Sequence, residues 1–240
     1  MNYAIILASG KGIRMKDCKN IPKQFREING KPIIIYTINN LLKVNRFDAL
    51  YVVVPQDYID YTKIIINKHI KENLEKINII SGGNERMDSI DNAIKAIVDN
   101  NKVNDNDIVV IHDGVRPFIT ERILNESIDK SREYGAVVAS IPVSDTLLIS
   151  NDGYKVDEIP KRSIYYKGQA PDSFRLKLFI ELLEKLSPED RKKIVGTSQV
   201  CTLNNYPIHM IEGDEINFKI TTASDLNIAN GIAKEIDLND

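Results

Sequence analysis

The chain has 240 residues, 42% hydrophobic and 28% charged, a length and balance that suit one large α/β domain. Its formal net charge of -2 gives no bulk sign of a nucleic-acid or membrane partner. The two cysteines, Cys18 and Cys201, form no Cys-x-x-Cys pair, which argues against a disulfide framework or zinc site and for a reducing, cytoplasmic setting.

The N-terminal apolar run Tyr3–Ala8 is too short to span a membrane and lacks the basic start and cleavage site of a leader. It reads as a buried strand covered on both faces. Further strands are expected at Ala49–Val54, Ile77–Ile80, Ile108–His112 and Ala136–Ile141. Between them, Ile33–Leu42, Gln56–His69, Ser89–Val98 and Glu121–Glu133 carry apolar residues at the helical period. Strand–helix alternation predicts a doubly wound, mostly parallel α/β sheet, whose ligands bind beyond the carboxyl ends of its strands. Residues 143–167 break this rhythm. Asn151-Asp152-Gly153 between alternating apolar positions signals a hairpin, so the segment is expected to protrude as a β-arm. A helix at Leu176–Leu186, a short strand at Pro207–Ile211 and a terminal helix at Ser224–Glu235, with Thr222 and Asp225 capping its start, complete a single domain over 1–240.

The chemistry-bearing residues fall after the predicted strands. Leu7–Met15 reads L-A-S-G-K-G-I-R-M. Gly10 and Gly12 allow backbone angles that let successive N–H groups cradle phosphate oxygens, and Lys11 and Arg14 add charge. The loop is neither a P-loop nor a full dinucleotide fingerprint, and a plain strand-to-helix turn has the same glycine spacing. Ile21–Phe25, I-P-K-Q-F, places Lys23 behind a proline of fixed φ, where it can point back at the same phosphates or simply lie on the surface. In Gly82–Ser89, G-G-N-E-R-M-D-S, a Gly pair with Arg86 and Ser89 could line a nucleobase or ribose pocket, or cap the next helix. Val110–Phe118, V-I-H-D-G-V-R-P-F, sets Asp113 and Arg116 just past a buried strand. A carboxylate there can hold Mg²⁺ against substrate phosphates, while His112 reads as a structural histidine. Asn217–Thr222, N-F-K-I-T-T, adds Lys219.

Together with Asp145-Thr146 and Gly168–Phe174 (G-Q-A-P-D-S-F), these motifs stand in the order of one family. The chain resembles, over essentially its whole length, the 2-C-methyl-D-erythritol 4-phosphate cytidylyltransferases and their relatives, the ribitol-5-phosphate cytidylyltransferases of wall and capsule synthesis. The stretch Ile159–Phe174 and the tail Asp225–Asn230 lean toward the ribitol branch.

The resemblance implies a Rossmann-like nucleotidyltransferase that joins CTP to a small polyol phosphate with Mg²⁺ as cofactor. Ala8, Ser9, Gly10 and Gly12 would line the nucleotide loop, with Gly82, Arg86 and Ser89 near cytosine and ribose. Arg14, Lys23 and Lys219 would face the triphosphate as catalytic cations, and Asp113 would bind the metal. Arg116, Thr146 and Arg162 would contact the acceptor, the last two from the β-arm of a partner in a homodimer. Departures fall mainly on the acceptor side. Ala170 stands where the family has Thr, and Ile194–Cys201 lacks a Thr-Asp pair. Ala170 opens space, and Gly196, Thr197, Ser198 and Gln199 could meet neutral hydroxyls, which favours a linear alditol phosphate: ribitol 5-phosphate first, a hexitol phosphate second. The competing readings are the methylerythritol-phosphate enzyme itself and an idle nucleotide-binding homologue. The second predicts loss of the charged residues, all of which are present. A dehydrogenase reading lacks the full fingerprint and its ribose-binding acid.

Overall fold

The computed structural model describes residues 1–10 and 21–237. Along the chain come β1 (Asn2–Leu7), the short β2 (Glu27–Ile28) and β3 (Lys31–Pro32), α1 (Ile33–Lys43), β4 (Ala49–Val54), α2 (Ile59–His69), β5 (Ile77–Ser81), α3 (Arg86–Asn100), β6 (Ile108–Asp113), α4 (Glu121–Tyr134), β7 (Ala136–Pro142), β8 (Tyr166–Arg175), α5 (Leu176–Lys185), α6 (Pro188–Lys193), α7 (Gln199–Leu203), β9 (His209–Glu212) and α8 (Ala223–Asp237). Seven strands form one sheet in the order β5-β4-β1-β6-β8-β7-β9. The β5-β4-β1-β6 half is parallel. β8 runs antiparallel to both β6 and β7, and β9 is parallel to β7, so the sheet is mixed.

Strand periodicity explains the two layers. Side chains alternate across a strand, so Ala4 and Ile6 of β1 face one side, with Leu50 and Val52 of β4 and Val110 of β6. There they meet Ile34, Ile38 and Leu41 of α1, Ile66 of α2, and Ile123 and Leu124 of α4. Tyr3, Ile5, Tyr51, Val53, Val109 and Ile111 face the other side, against Ile90 and Ile97 of α3, Phe179 and Leu182 of α5 and Val200 of α7. Every residue of β1 is buried, which is why it reads as a continuous apolar run rather than an alternation. A third cluster packs Ala229 and Ala233 of α8 on Ile28, Val115, Phe118 and Ile220. Asp225 accepts from the Thr222 backbone N–H while the Thr222 hydroxyl accepts from that of Asp225, the expected cap.

Two elements go beyond the expectations and one expectation is corrected. First, β2 and β3 form a hairpin that the helical reading of Ile33–Leu42 passed over. Asn29 and Gly30 both have positive φ, 48° and 78°, the Asn-Gly turn chemistry of tight hairpins. Second, β8 is an interior strand despite Gly168 and Pro171. A register shift in its pairing with β7, between Val138 and Ser140, takes the proline out of the regular ladder. Third, residues 143–165 leave the sheet between the Pro142–Tyr166 pair, but their β pairing is the single bridge Ile149–Glu158. The Asn151–Gly153 turn forms, with Asp152 Oδ1 accepting from the backbones of Tyr154 and Lys155. The flanking Leu148, Val156 and Ile159 are exposed. Without a sheet face to cover within this chain, a two-stranded ladder has little to stabilise it.

Candidate active site

The carboxyl ends of β1, β5 and β6 lie side by side because those strands and β4 are parallel and in register. The loops that follow them converge on a cavity of about 360 Å³, lined among others by Ala8, Ser9, Gly10, Lys23, Arg86 and Ser89. Close backbone approach shapes it. A Cβ on Gly82 would lie 2.4 Å from Ser9 Cβ, and one on Gly114 2.9 Å from Ala8 Cβ. The Ser9 and Ser89 hydroxyls stand 2.9 Å apart, and Ser89 Oγ accepts from Gly83 N at 3.1 Å. Gln24 Nε2 donates to the carbonyl of Ala8, fixing the start of the glycine loop from beneath. α3 opens at this cavity with a Glu85–Asp88 capping box, and its free N–H groups favour negative charge. The helix begins three residues before the predicted Ser89, because the box caps it earlier than the apolar period shows.

Asp113, at the end of β6, is the centre of a charge cluster. Arg86 Nη1 reaches its Oδ1 at 3.2 Å, while Arg116 Nε and Lys219 Nζ reach its Oδ2 at 3.1 and 3.0 Å. Burial alone would raise the Asp113 carboxyl, but Lys219, Arg86 and Arg116 outweigh it and hold it well below the usual carboxylate range. Three cations around one carboxylate leave an excess of positive charge. Neighbouring His112 is fully buried and burial lowers it to about 4, so it stays neutral. Its Nε2 lies 3.1 Å from the Arg116 carbonyl, to which it donates, and its Nδ1 has no partner among the described residues.

Arg86, Asp113 and Lys219 also line a second cavity of about 210 Å³, together with Arg116, Gly168, Ala170, Asp172, Gly196 and Ser198. The two cavities therefore meet at the charge cluster. Asn217 ties the second one together. Its side-chain amide nitrogen donates to the Ala170 carbonyl at 2.7 Å and to Gln169 Oε1 at 3.3 Å, and its main-chain carbonyl accepts from Arg116 Nη1 at 2.7 Å.

The structure thus brings Ala8, Ser9, Gly10, Lys23, Arg86 and Ser89 to one cavity, with Gly82 in contact behind them, and Asp113 and Lys219 to the junction. Arg86 reaches the junction rather than a nucleobase position alone, because its other nitrogen is held by Thr197 Oγ1 at 3.1 Å. Arg116 lines the second cavity. Thr146 and Arg162 lie in the exposed 143–165 excursion and line neither cavity of their own chain; Arg162 instead donates to the Ser144 carbonyl at 2.5 Å. Gly12 and Arg14, with Lys11, lie outside the described residues. Gln199 does not face the second cavity: its Oε1 accepts from the backbones of Val195 and Gly196, which fold the loop. Sequence reasoning passed over Gln24, Gln169, Asp172 and Asn217. All four stood inside quoted motifs, but their partners are distant in sequence.

A parallel-stranded sheet edge with a glycine loop, a helix N-terminus and a cation cluster is the architecture of an α/β nucleotidyltransferase. The family model described as IspD, 2-C-methyl-D-erythritol 4-phosphate cytidylyltransferase, matches residues 2–235. A ribitol-5-phosphate cytidylyltransferase of Lactiplantibacillus plantarum is 39% identical over 98% of this chain and 99% of its own. The 4-diphosphocytidyl-2C-methyl-D-erythritol synthase structure from Anaerococcus prevotii superposes with a TM-score of 0.77 at 27% identity, covering 97% of this chain and 96% of that one. The 2-C-methyl-D-erythritol 4-phosphate cytidylyltransferase structure from Thermus thermophilus, at 22% identity, a TM-score of 0.73 and coverage of 97% and 98%, shares the fold. The chain belongs to the IspD family and is a cytidylyltransferase.

Proposed function

We propose that the protein transfers the cytidylyl group of CTP to a linear alditol phosphate, ribitol 5-phosphate first, giving a CDP-alditol and pyrophosphate. The observation that carries the acceptor choice is the 39% identity, end to end, with a relative named for ribitol 5-phosphate. CTP would occupy the larger cavity and the acceptor the smaller, so that both phosphates meet at Asp113. An oxygen of the acceptor phosphate attacks the α-phosphorus of CTP. As that P–O bond forms, the α–β bridging bond breaks, and pyrophosphate leaves with the electron pair. The attacking dianion is already ionised, so no protein base is required. Catalysis is positioning plus neutralisation of charge, by Lys23 and Lys219, with Arg14 assigned the same task. Arg86 and Arg116 hold the acceptor phosphate.

Among the described residues no group of three or more metal-binding side chains exists, so a metal would be shared with substrate. A single ionised carboxylate at a phosphate site fits Mg²⁺, which takes one or two carboxylates and otherwise waters and phosphate oxygens. Asp113 would hold it, and its charge would be spread over the reacting phosphates. Among the described residues no helix is long and apolar enough to cross a membrane; we place the enzyme in the cytoplasm, supplying a wall or capsule polymer.

The exposed Leu148, Ile164 and Tyr166 of the 143–165 excursion and its edge supply an apolar surface for a second copy, whose site would then receive Thr146 and Arg162. The acceptor reading is tested by pyrophosphate release with CTP, Mg²⁺ and ribitol 5-phosphate, a hexitol phosphate or methylerythritol phosphate. Ribitol 5-phosphate is expected to have the highest kcat/KM; a tenfold preference, about 1.4 kcal/mol, for methylerythritol phosphate overturns it.

A further inference from the structure

The smaller cavity is chemically two-sided. At its junction with the larger one stand Arg86, Arg116 and Lys219 around Asp113. Its wall also carries the carboxyl of Asp172 and the hydroxyl of Ser198, with the small residues Gly168, Ala170 and Gly196. Asp172 sits in mid-sheet, paired with Ile111 of β6 on one side and Val138 of β7 on the other. It is buried at 6% exposure beside the register shift of β7 and β8, the kind of irregularity that re-aims side chains next to active sites.

Burying a carboxyl in an interior strand is costly without hydrogen-bond partners. Thr197, itself fully buried, lies beside it and eases the cost of its charged form, while its oxygen accepts from Arg86. A carboxyl group has acceptor sites for several donors, and the cavity is where the rest must come from. A core position has no use for this residue: the neighbours of Asp172 along the sheet, Ile111 and Phe174, are apolar and fill the α3/α5 layer.

We propose that Asp172 is a specificity-determining residue, whose carboxyl hydrogen-bonds hydroxyl groups on the carbon chain of the acceptor while its phosphate lies among the cations. The proposal rests on the cytidylyl-transfer reading and deepens it. It defines the acceptor as a phosphomonoester with a neutral, hydroxylated tail. A methyl group set against Asp172 would desolvate the carboxyl and leave it unpaired, which sites of this kind reject far more strongly than a poor shape fit.

The test measures kcat/KM for ribitol 5-phosphate and its singly deoxygenated analogues, with wild type, Asp172→Ala and the near-isosteric Asp172→Asn. In the wild type at least one analogue should be poorer by about a hundredfold or more. In Asp172→Ala that discrimination should shrink to within about threefold, with the Kd for CTP unchanged within about twofold. Asp172→Asn, which keeps the shape, should alter discrimination against the same analogue and no other, and decides the matter if the alanine variant does not fold. Unchanged discrimination in the variants, with wild type active on ribitol 5-phosphate, overturns the role of Asp172 alone. A wild type inactive on every alditol phosphate but active on methylerythritol phosphate overturns the acceptor reading as well.

Discussion

Asp113 and Asp172 are both buried carboxyls lining the smaller cavity, yet their surroundings drive them in opposite directions. Three cations hold Asp113 ionised. Asp113→Asn removes the charge at constant size, and the expected loss in turnover is at least about a hundredfold, as for removal of other charge-stabilising groups; steady-state turnover within a fewfold of wild type would refute its role. Burial pushes Asp172 up to about 7, above its range in the unfolded chain, about 4. As pH rises through that window the unfolded state releases a proton that the folded state keeps, so stability is lost. Asp172→Asn escapes this loss. Its thermal midpoint relative to wild type is therefore expected to be higher at pH 8 than at pH 5, by the equivalent of a few kcal/mol. A difference that does not change with pH, measured by calorimetry, would show that Asp172 keeps its ordinary acidity in the fold.

At the scale of elements, the larger cavity depends on how closely β1 and β5 deliver their following loops. Gly82 is the contact point, since an added Cβ would overlap Ser9 Cβ at 2.4 Å. Gly82→Ala must push the two loops apart, and overpacking of this kind typically costs about 1–3 kcal/mol. If part of that falls on the bound state, CTP affinity drops by about tenfold, with the midpoint of unfolding moved by a few degrees at most. Unchanged affinity by titration calorimetry would mean that the loop already separates when nucleotide binds. β8 matters for a different reason. It carries Gln169, Ala170 and Asp172 to the smaller cavity, and Asn217 clamps it to the segment that holds Lys219.

At the scale of the whole molecule, the sheet presents two adjoining cavities on one edge and sends residues 143–165 away from them. In a monomer that excursion leaves Tyr154, Ile159 and Ile164 almost wholly or largely exposed. If two copies exchange their excursions, each site depends on both chains. Mixing inactive Asp113→Asn with inactive Arg162→Ala subunits is then expected to restore activity toward about a quarter of wild type through mixed dimers, because one site in each carries both native residues. No recovery on mixing, or full activity of a species that light scattering finds monomeric, would refute the shared site.

The order of the main strands and helices, apart from β2, β3, β8, α6 and α7, was legible from local pattern alone. Continuous apolar runs such as Tyr3–Ala8 mark strands buried on both faces, and the i, i+3, i+4 spacing of α1 and α4 marks their buried stripes. So was the placing of Asp113 at the active edge, because it ends a buried parallel strand; the family resemblance, rather than local pattern, assigns Lys23 and Lys219 to the same place. What local pattern does not carry is any contact between residues far apart in the chain. That β8 enters the sheet through a register shift, that Arg86 spans from Asp113 to Thr197, and that Gln199 folds its own loop instead of facing a ligand were decided by tertiary packing. The physical reason is the same in each case: a polar side chain goes where a buried partner remains unsatisfied, and that partner is chosen only when the layers close.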